Sequence, residues 1–166
     1  MSMSGISRRT ARAHPAILTA VLLISWFLQL VASSMAVAPL ARGLLISIPL
    51  GAMCFWYWAV FAVARASKPD ATVPQWAWLF AAPPLLVLIA GFAGWSMNNS
   101  PAAFAFFVAL FVAIWFAAQA LENADAPGGH ASIGRILGTI LLMYFAPIGV
   151  WVLRLKIRRV EAKTAA

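Results

Sequence analysis

The residue types most able to do chemistry gather in one polar connection, QALENADAPGGHASIGR. An amide, two carboxylates and an imidazole fall within it, at Gln119, Glu122, Asp125 and His130. Carboxylates and a histidine can hold a divalent metal or act as general acid and base. No second cluster in the sequence completes such a site, so we predict neither a metal nor a catalytic residue. We interpret the stretch as a solvated loop with Arg135 as counter-charge, and keep the four residues as weak binding candidates.

A second polar group lies in the first apolar segment, where Ser25, Gln29 and Ser33 are spaced at i, i+4 and i+8. On a helix these three side chains share one face, which could line a path for a small solute. The alternative is hydrogen bonding between helices, worth roughly 0.6–2 kcal/mol per contact in a membrane. We favour the second interpretation, because a buried amide in lipid needs partners.

The elements that must position these residues are long apolar segments. The chain of 166 residues is 64% hydrophobic and 10% charged, whereas soluble domains carry about 25% charge. Roughly 20 apolar residues in a helix cross a hydrocarbon core of about 30 Å. Five segments reach or approach that length, and none contains Asp, Glu, Lys, Arg or His: Ala16–Ala38, Leu44–Ala64, Trp76–Trp95, Ala102–Leu121 and Ile136–Leu153.

These segments predict the fold class, because backbone polar groups in lipid must be satisfied within the structure, as helices allow. We predict an all-α, polytopic transmembrane helical bundle of four to five hydrophobic helices, one of them bent or re-entrant. The predicted organisation is a basic cytoplasmic N-terminal tail over 1–15, a transmembrane domain over 16–155 and a basic C-terminal tail over 156–166.

The basic residues predict the orientation, because Lys and Arg near segment ends favour the cytoplasmic side. Arg8, Arg9 and Arg12 therefore place the N-terminus in the cytoplasm. Five crossings would then leave six basic residues on each side, with no bias at all. Four crossings with both ends inside restore the bias, and Pro83–Pro84 make the third segment the preferred one to bend. Five crossings and insertion in both orientations stay as alternatives.

Small residues predict where helices pack closely, since helix association in lipid relies on close backbone approach. In the fourth segment an alanine recurs every fourth residue, and the fifth segment begins with a GxxxG motif. We interpret the alanine stripe as a helix–helix seam, either internal or with another subunit, and favour internal packing. The predicted helix-packing residues are Ala105, Ala109, Ala113, Ala117, Gly134 and Gly138.

The C-terminal stretch combines apolar and basic residues. If it is helical, Leu153, Ile157 and Val160 lie on one side, which predicts an amphipathic extension at the membrane surface. Each basic side chain near an anionic leaflet contributes about 1 kcal/mol. We therefore predict contact with anionic lipid head groups for Arg154, Lys156, Arg158 and Arg159.

Several functions lack their parts in this sequence. It has no phosphate loop, no HExxH and no GxSxG, and no ionisable residue within a segment for a proton relay. We predict no cofactor and no nucleic-acid partner. The favoured function is a non-enzymatic accessory or assembly subunit of the bacterial inner membrane, packing against itself or another membrane protein. A small-solute channel or transporter working as an oligomer is the alternative. A membrane enzyme using Glu122, Asp125 and His130 is the third class.

Overall fold

The structure is a computed structural model that describes residues 14–34, 38–67, 74–94 and 100–165. Within these ranges it contains six α-helices and one 3-10 helix. Helix α1 is Pro15–Ser34, α2 is Pro39–Ala66, the 3-10 helix Gln75–Ala81 leads into α3, Ala82–Phe92, and α4 is Pro101–Asp125. Helix α5 is Ile133–Tyr144 and α6 is Ala146–Ala165. The predicted all-α bundle is confirmed.

Local sequence explains several of the helix ends. Helices α2 and α4 begin with proline, which is tolerated there because the first-turn N–H groups have no partner within the helix. The Ser100 side chain accepts a hydrogen bond of 3.3 Å from Ala103 N at the start of α4. After α3 the chain turns at Gly94, whose φ of 65° is readily adopted by glycine.

The long helices alternate in direction. Only residues 35–38 separate α1 from α2, and the two pack against each other. Helices α2 and α3 are antiparallel, since Gly43 approaches Gly91 whereas Phe61 contacts Phe80. Helix α4 returns beside them and ends at the same end of the bundle as α2. We call this end the charged end and the other the far end.

The core forms around α2, which packs against α1, α3, α4 and α6. Tyr57, Ala59 and Val60 of α2 are fully buried, and Ala117 and Ala118 of α4 are buried equally well. Three helical stretches are long and apolar enough to cross a membrane: Ala41–Ala66, Gln75–Phe92 and Pro101–Asp125. Helix α1 contains a shorter apolar stretch, Pro15–Leu28.

The third segment changes helix type at its two prolines. Pro83 and Pro84 lie at the start of α3, directly after the 3-10 helix. In the first turn of a helix a proline removes no intrahelical hydrogen bond, so the 3-10 and α-helical parts form one apolar stretch of 18 residues. Whether this stretch crosses a membrane fully stays a prediction.

The predicted fifth segment is instead a helical hairpin. Helix α5 ends at Tyr144, Phe145 has a non-helical backbone (φ −88°, ψ 55°), and α6 runs back along α5. Tyr144 stacks on Phe111 in the middle of α4, with ring centroids 6.1 Å apart. With 12 residues α5 is about 18 Å long, shorter than the hydrocarbon core.

Two contacts explain how the hairpin can close. Pro147 has no N–H, so the carbonyl of Met143 four residues earlier has no intrahelical donor. The buried Tyr57 hydroxyl donates to that carbonyl at 2.9 Å. A Cβ built on Gly149 would lie 1.8 Å from the carbonyl oxygen of Leu142, so only glycine permits this approach of α6 to α5.

Candidate functional site

The hairpin carries basic side chains back to the two carboxylates at the end of α4. Glu122, in the last turn of α4, is fully buried. Its Oε1 accepts hydrogen bonds from Thr139 Oγ1 of α5 and Lys156 Nζ of α6. Its Oε2 lies 3.0 Å from Arg135 Nη2, although not in hydrogen-bonding geometry. One carboxylate thus joins three helices.

Asp125 forms the outer part of the same arrangement. Its Oδ2 accepts a hydrogen bond of 3.0 Å from Arg135 Nη2 and a longer one of 3.4 Å from Arg159 Nη2. The Lys163 ammonium donates to the backbone carbonyls of Ala124 and Asp125, at 3.2 and 2.8 Å. No N–H group of α4 donates to these two carbonyls, because they lie in its last turn. The Lys163 ammonium therefore supplies their hydrogen-bond donor and complements the negative end of the helix dipole. We call the six charged side chains the charge cluster: Glu122, Asp125, Arg135, Lys156, Arg159 and Lys163.

The charge cluster surrounds its two acids with basic side chains. Four cationic groups surround two acids, and Lys156 is largely shielded from water, with 23% of its side chain exposed. A buried charge is tolerated only when paired and hydrogen-bonded, and Glu122 meets that condition. Both acids are committed to neighbours in the chain, so the arrangement can fasten α6 to α4 but offers no free base.

The sequence correctly paired Arg135 with these acids, but the environment differs from the expected solvated loop. Glu122 and Asp125 belong to α4, and Glu122 has no contact with solvent. His130 is exposed in the connection after α4. No group of three His, Cys, Asp or Glu side chains suited to a metal occurs among the residues that the structure describes. Gln119 lies one turn before Glu122 and lines a separate cavity.

The predicted packing residues divide into two groups. Ala113 and Ala117 are buried in the bundle, whereas Ala105 is exposed and Ala109 is partly exposed. A Cβ on Gly134 or on Gly138 would have open space around it. The stripe therefore turns from the interior toward the surface along α4, and its exposed part remains a candidate contact for another subunit.

The basic residues predicted to meet lipid head groups have different surroundings. Lys156 points to Glu122, and Arg159 bonds Asp125 while remaining mostly exposed. Arg158 is exposed and Arg154 is half-buried. Leu153, Ile157 and Val160 are buried on the opposite side of α6. Lipid contact of these four residues stays a prediction.

Two predictions concern side chains or residues that lie outside the described part of the chain. Ser25, Gln29 and Ser33 have helical backbone in α1, but their side chains are not part of the description. The basic residues of the N-terminal tail precede position 14 and are likewise outside it. The solute path and the tail stay predictions.

The sequence missed four residues that hold this region together. They are Tyr57, Thr139, Gly149 and Lys163. A signal was present for Gly149, because Pro147 and Gly149 interrupt the apolar segment in FAPIGVW. Tyr57 and Thr139 carried no signal, since their partners lie 86 and 17 residues away.

Comparison with known proteins adds no relative: no family model, no curated protein and no solved structure matches this chain. Its function must be argued from its own residues.

Proposed function

We propose that this protein is a non-enzymatic accessory or assembly subunit of a bacterial inner membrane, packing against itself or against another membrane protein. The observation that carries the proposal is the commitment of Glu122 and Asp125 to partners in the chain. Groups fastened in this way stabilise an architecture. A catalytic acid or base must instead reach a substrate.

The distribution of charge supports a cytoplasmic charged end. Of the basic residues that the structure describes, only Arg42 lies at the far end. The other seven lie at or toward the charged end: Arg65, Arg135, Arg154, Lys156, Arg158, Arg159 and Lys163. Because basic residues near membrane-spanning segments stay in the cytoplasm, the α5–α6 hairpin would enter and leave the membrane from the cytoplasmic side.

Reporter fusions test this topology. A reporter active only in the cytoplasm, fused after residue 166 or inserted at Gly128, should give the same strong signal in both cases. An insertion next to Ser100 should give none. Opposite signals at 128 and 166 would contradict the hairpin, and equal signals from all three sites would indicate insertion in both orientations.

The exposed part of the alanine stripe supports the packing role. Ala105 lies on the surface of α4 beside the exposed Phe104 and Val108. A small residue among large ones leaves a depression into which another helix can pack closely. Ala113 cannot serve this purpose, because it is already buried inside the bundle.

A photocrosslinking amino acid at position 105 tests the packing role in native membranes. We expect a discrete protein adduct, identifiable as a second copy or as another membrane protein. The same amino acid at the exposed Ala52 of α2 is the matched control and should give lipid adducts only. Ala105→Leu should weaken association in bilayers, measured by energy transfer between labelled copies, if the partner is a second copy. Lipid adducts alone at position 105 would refute the packing role.

A further inference from the structure

A cavity of about 160 Å³ opens near the charged end, between α2, the start of the 3-10 helix and α4. Its polar lining is Arg65, Gln119 and Asn123, and its aromatic lining is Phe61, Trp76 and Phe116. We propose that this cavity, the Arg65 cavity, binds a phosphate group, and that the phosphate belongs to the head group of an anionic phospholipid.

The first support is the state of Arg65. Its guanidinium lies over the Phe61 ring, 5.6 Å from the centroid. The Nε atom is buried and has no hydrogen-bond partner. Four other cations at this end of the bundle bind the carboxylates or the carbonyls of α4, whereas Arg65 has no anionic partner among the described residues. A phosphate in the cavity would give the Arg65 guanidinium the anionic partner that the described residues do not supply.

The second support is the orientation of Asn123. Its Oδ1 accepts a hydrogen bond of 2.8 Å from the backbone N–H of Ala131. This bond fixes the amide, so the Nδ2 group is the part left to donate to a ligand. Gln119, one turn earlier on α4, adds a second amide, and no carboxylate is among the described residues that line the cavity. A cation with two amides and no acid selects an anion.

The third support distinguishes a lipid from a soluble phosphate. Aromatic rings form the rest of the wall. The ring centroids of Trp76 and Phe116 are 4.5 Å apart, and those of Phe61 and Trp76 are 5.5 Å apart. Tryptophan at the end of a membrane-spanning stretch is typical of the head-group region. The glycerol and upper acyl carbons of a lipid would pack on these rings, whereas inorganic phosphate gains nothing from them.

Native mass spectrometry of the full-length chain in detergent tests the proposal, with phosphatidylglycerol, phosphatidylcholine and inorganic phosphate titrated separately. We expect the first to bind most tightly. Asn123→Asp keeps the acceptor for Ala131 but replaces the donor with a carboxylate, so affinity should fall about tenfold or more. Arg65→Gln should have a similar effect. Arg42→Gln removes the same charge from an exposed position at the far end and should change affinity less than about threefold.

Arg65→Lys distinguishes specific phosphate recognition from general charge attraction, because lysine keeps the positive charge but loses the planar fork of donors. A loss of affinity in this variant supports the Arg65 cavity. Phosphate binding that depends on Arg65, without phosphatidylglycerol binding, would support the phosphate chemistry and overturn the lipid assignment. Equal effects of Arg65→Gln and Arg42→Gln, or none in either with folding intact by circular dichroism, would overturn the proposal.

Discussion

Replacing Lys156 with methionine removes the ammonium beside Glu122 while keeping an unbranched side chain of similar length. The carboxylate would then be buried with one hydrogen bond, from Thr139, and one neighbouring cation, Arg135. Since the Arg135 side chain is 42% exposed, solvent screens its charge. We therefore expect Lys156→Met to loosen the attachment of α6 to α4.

The expected loss of stability follows from the burial of the Glu122–Lys156 ion pair. Removing one partner of a buried ion pair costs about 3–5 kcal/mol, because the other charge is left uncompensated. Here Arg135 remains 3.0 Å from Oε2, and Lys156 is itself partly exposed. Both facts reduce the loss, to about 2–3 kcal/mol. That range corresponds to an opening of the hairpin roughly 30 to 150 times more frequent.

Hydrogen exchange followed by mass spectrometry measures the opening of the hairpin separately for each helix. Amides of α6 should exchange faster by that factor in Lys156→Met, whereas those in the middle of α2 should change little. Glu122→Gln should cost less, since the amide still accepts from Thr139 and Lys156 can turn to solvent. The double variant should therefore lose less stability than the sum of the single variants, by at least ~1 kcal/mol.

Arg158→Met is the matched control, because Arg158 lies two residues away on α6 and is exposed. It should leave exchange within about twofold of the wild type. Two results would refute the reasoning: amide exchange in α6 that is as slow in Lys156→Met as in the wild type, or exchange that is equally fast in Lys156→Met and Arg158→Met. In either case the Glu122–Lys156 pair does not fasten the hairpin.

The remaining predictions concern the closure of the hairpin. Tyr57→Phe leaves the carbonyl of Met143 without its donor and should lower the free energy of unfolding by about 1–3 kcal/mol in a denaturant titration. An unchanged midpoint would mean that this hydrogen bond does not stabilise the hairpin. Gly149→Ala places a Cβ against the Leu142 carbonyl and should disrupt the hairpin, seen as rapid exchange throughout α6. Gly138→Ala has open space and should be neutral or stabilising by up to ~1 kcal/mol, so equal effects of the two alanines would refute the close contact.

The chain's preference for helices follows from composition and pattern. Apolar segments without charge, separated by loops rich in proline, glycine and asparagine, predict an all-α bundle because lipid leaves the backbone no other partner. The prolines at positions 39 and 101 mark helix starts for a local reason, the missing N–H. The pairing of Arg135 with the acids was predictable because both lie in the same connection.

The prolines also show where local reasoning ends. The same rule that predicts a break at Pro83–Pro84 applies to Pro147. Of these sites, Pro147 is the one that lies at a reversal of the chain. At Pro83 the preceding 3-10 turn leads directly into the helix, and the chain continues in one direction. At Pro147 a hydroxyl from α2 and a glycine facing α5 make the reversal stable.

The sequence by itself determined the apolar character of the segments and the absence of charge within them, because these depend only on neighbouring residues and on the solvent. The tertiary structure decided which segment folds back and that Glu122 is buried. Both outcomes depend on partners remote in sequence: Tyr57 for the freed carbonyl, and Lys156 for the acid. A carbonyl or a carboxylate can remain buried only where such a partner arrives, and the sequence pattern does not say which distant residue will meet it.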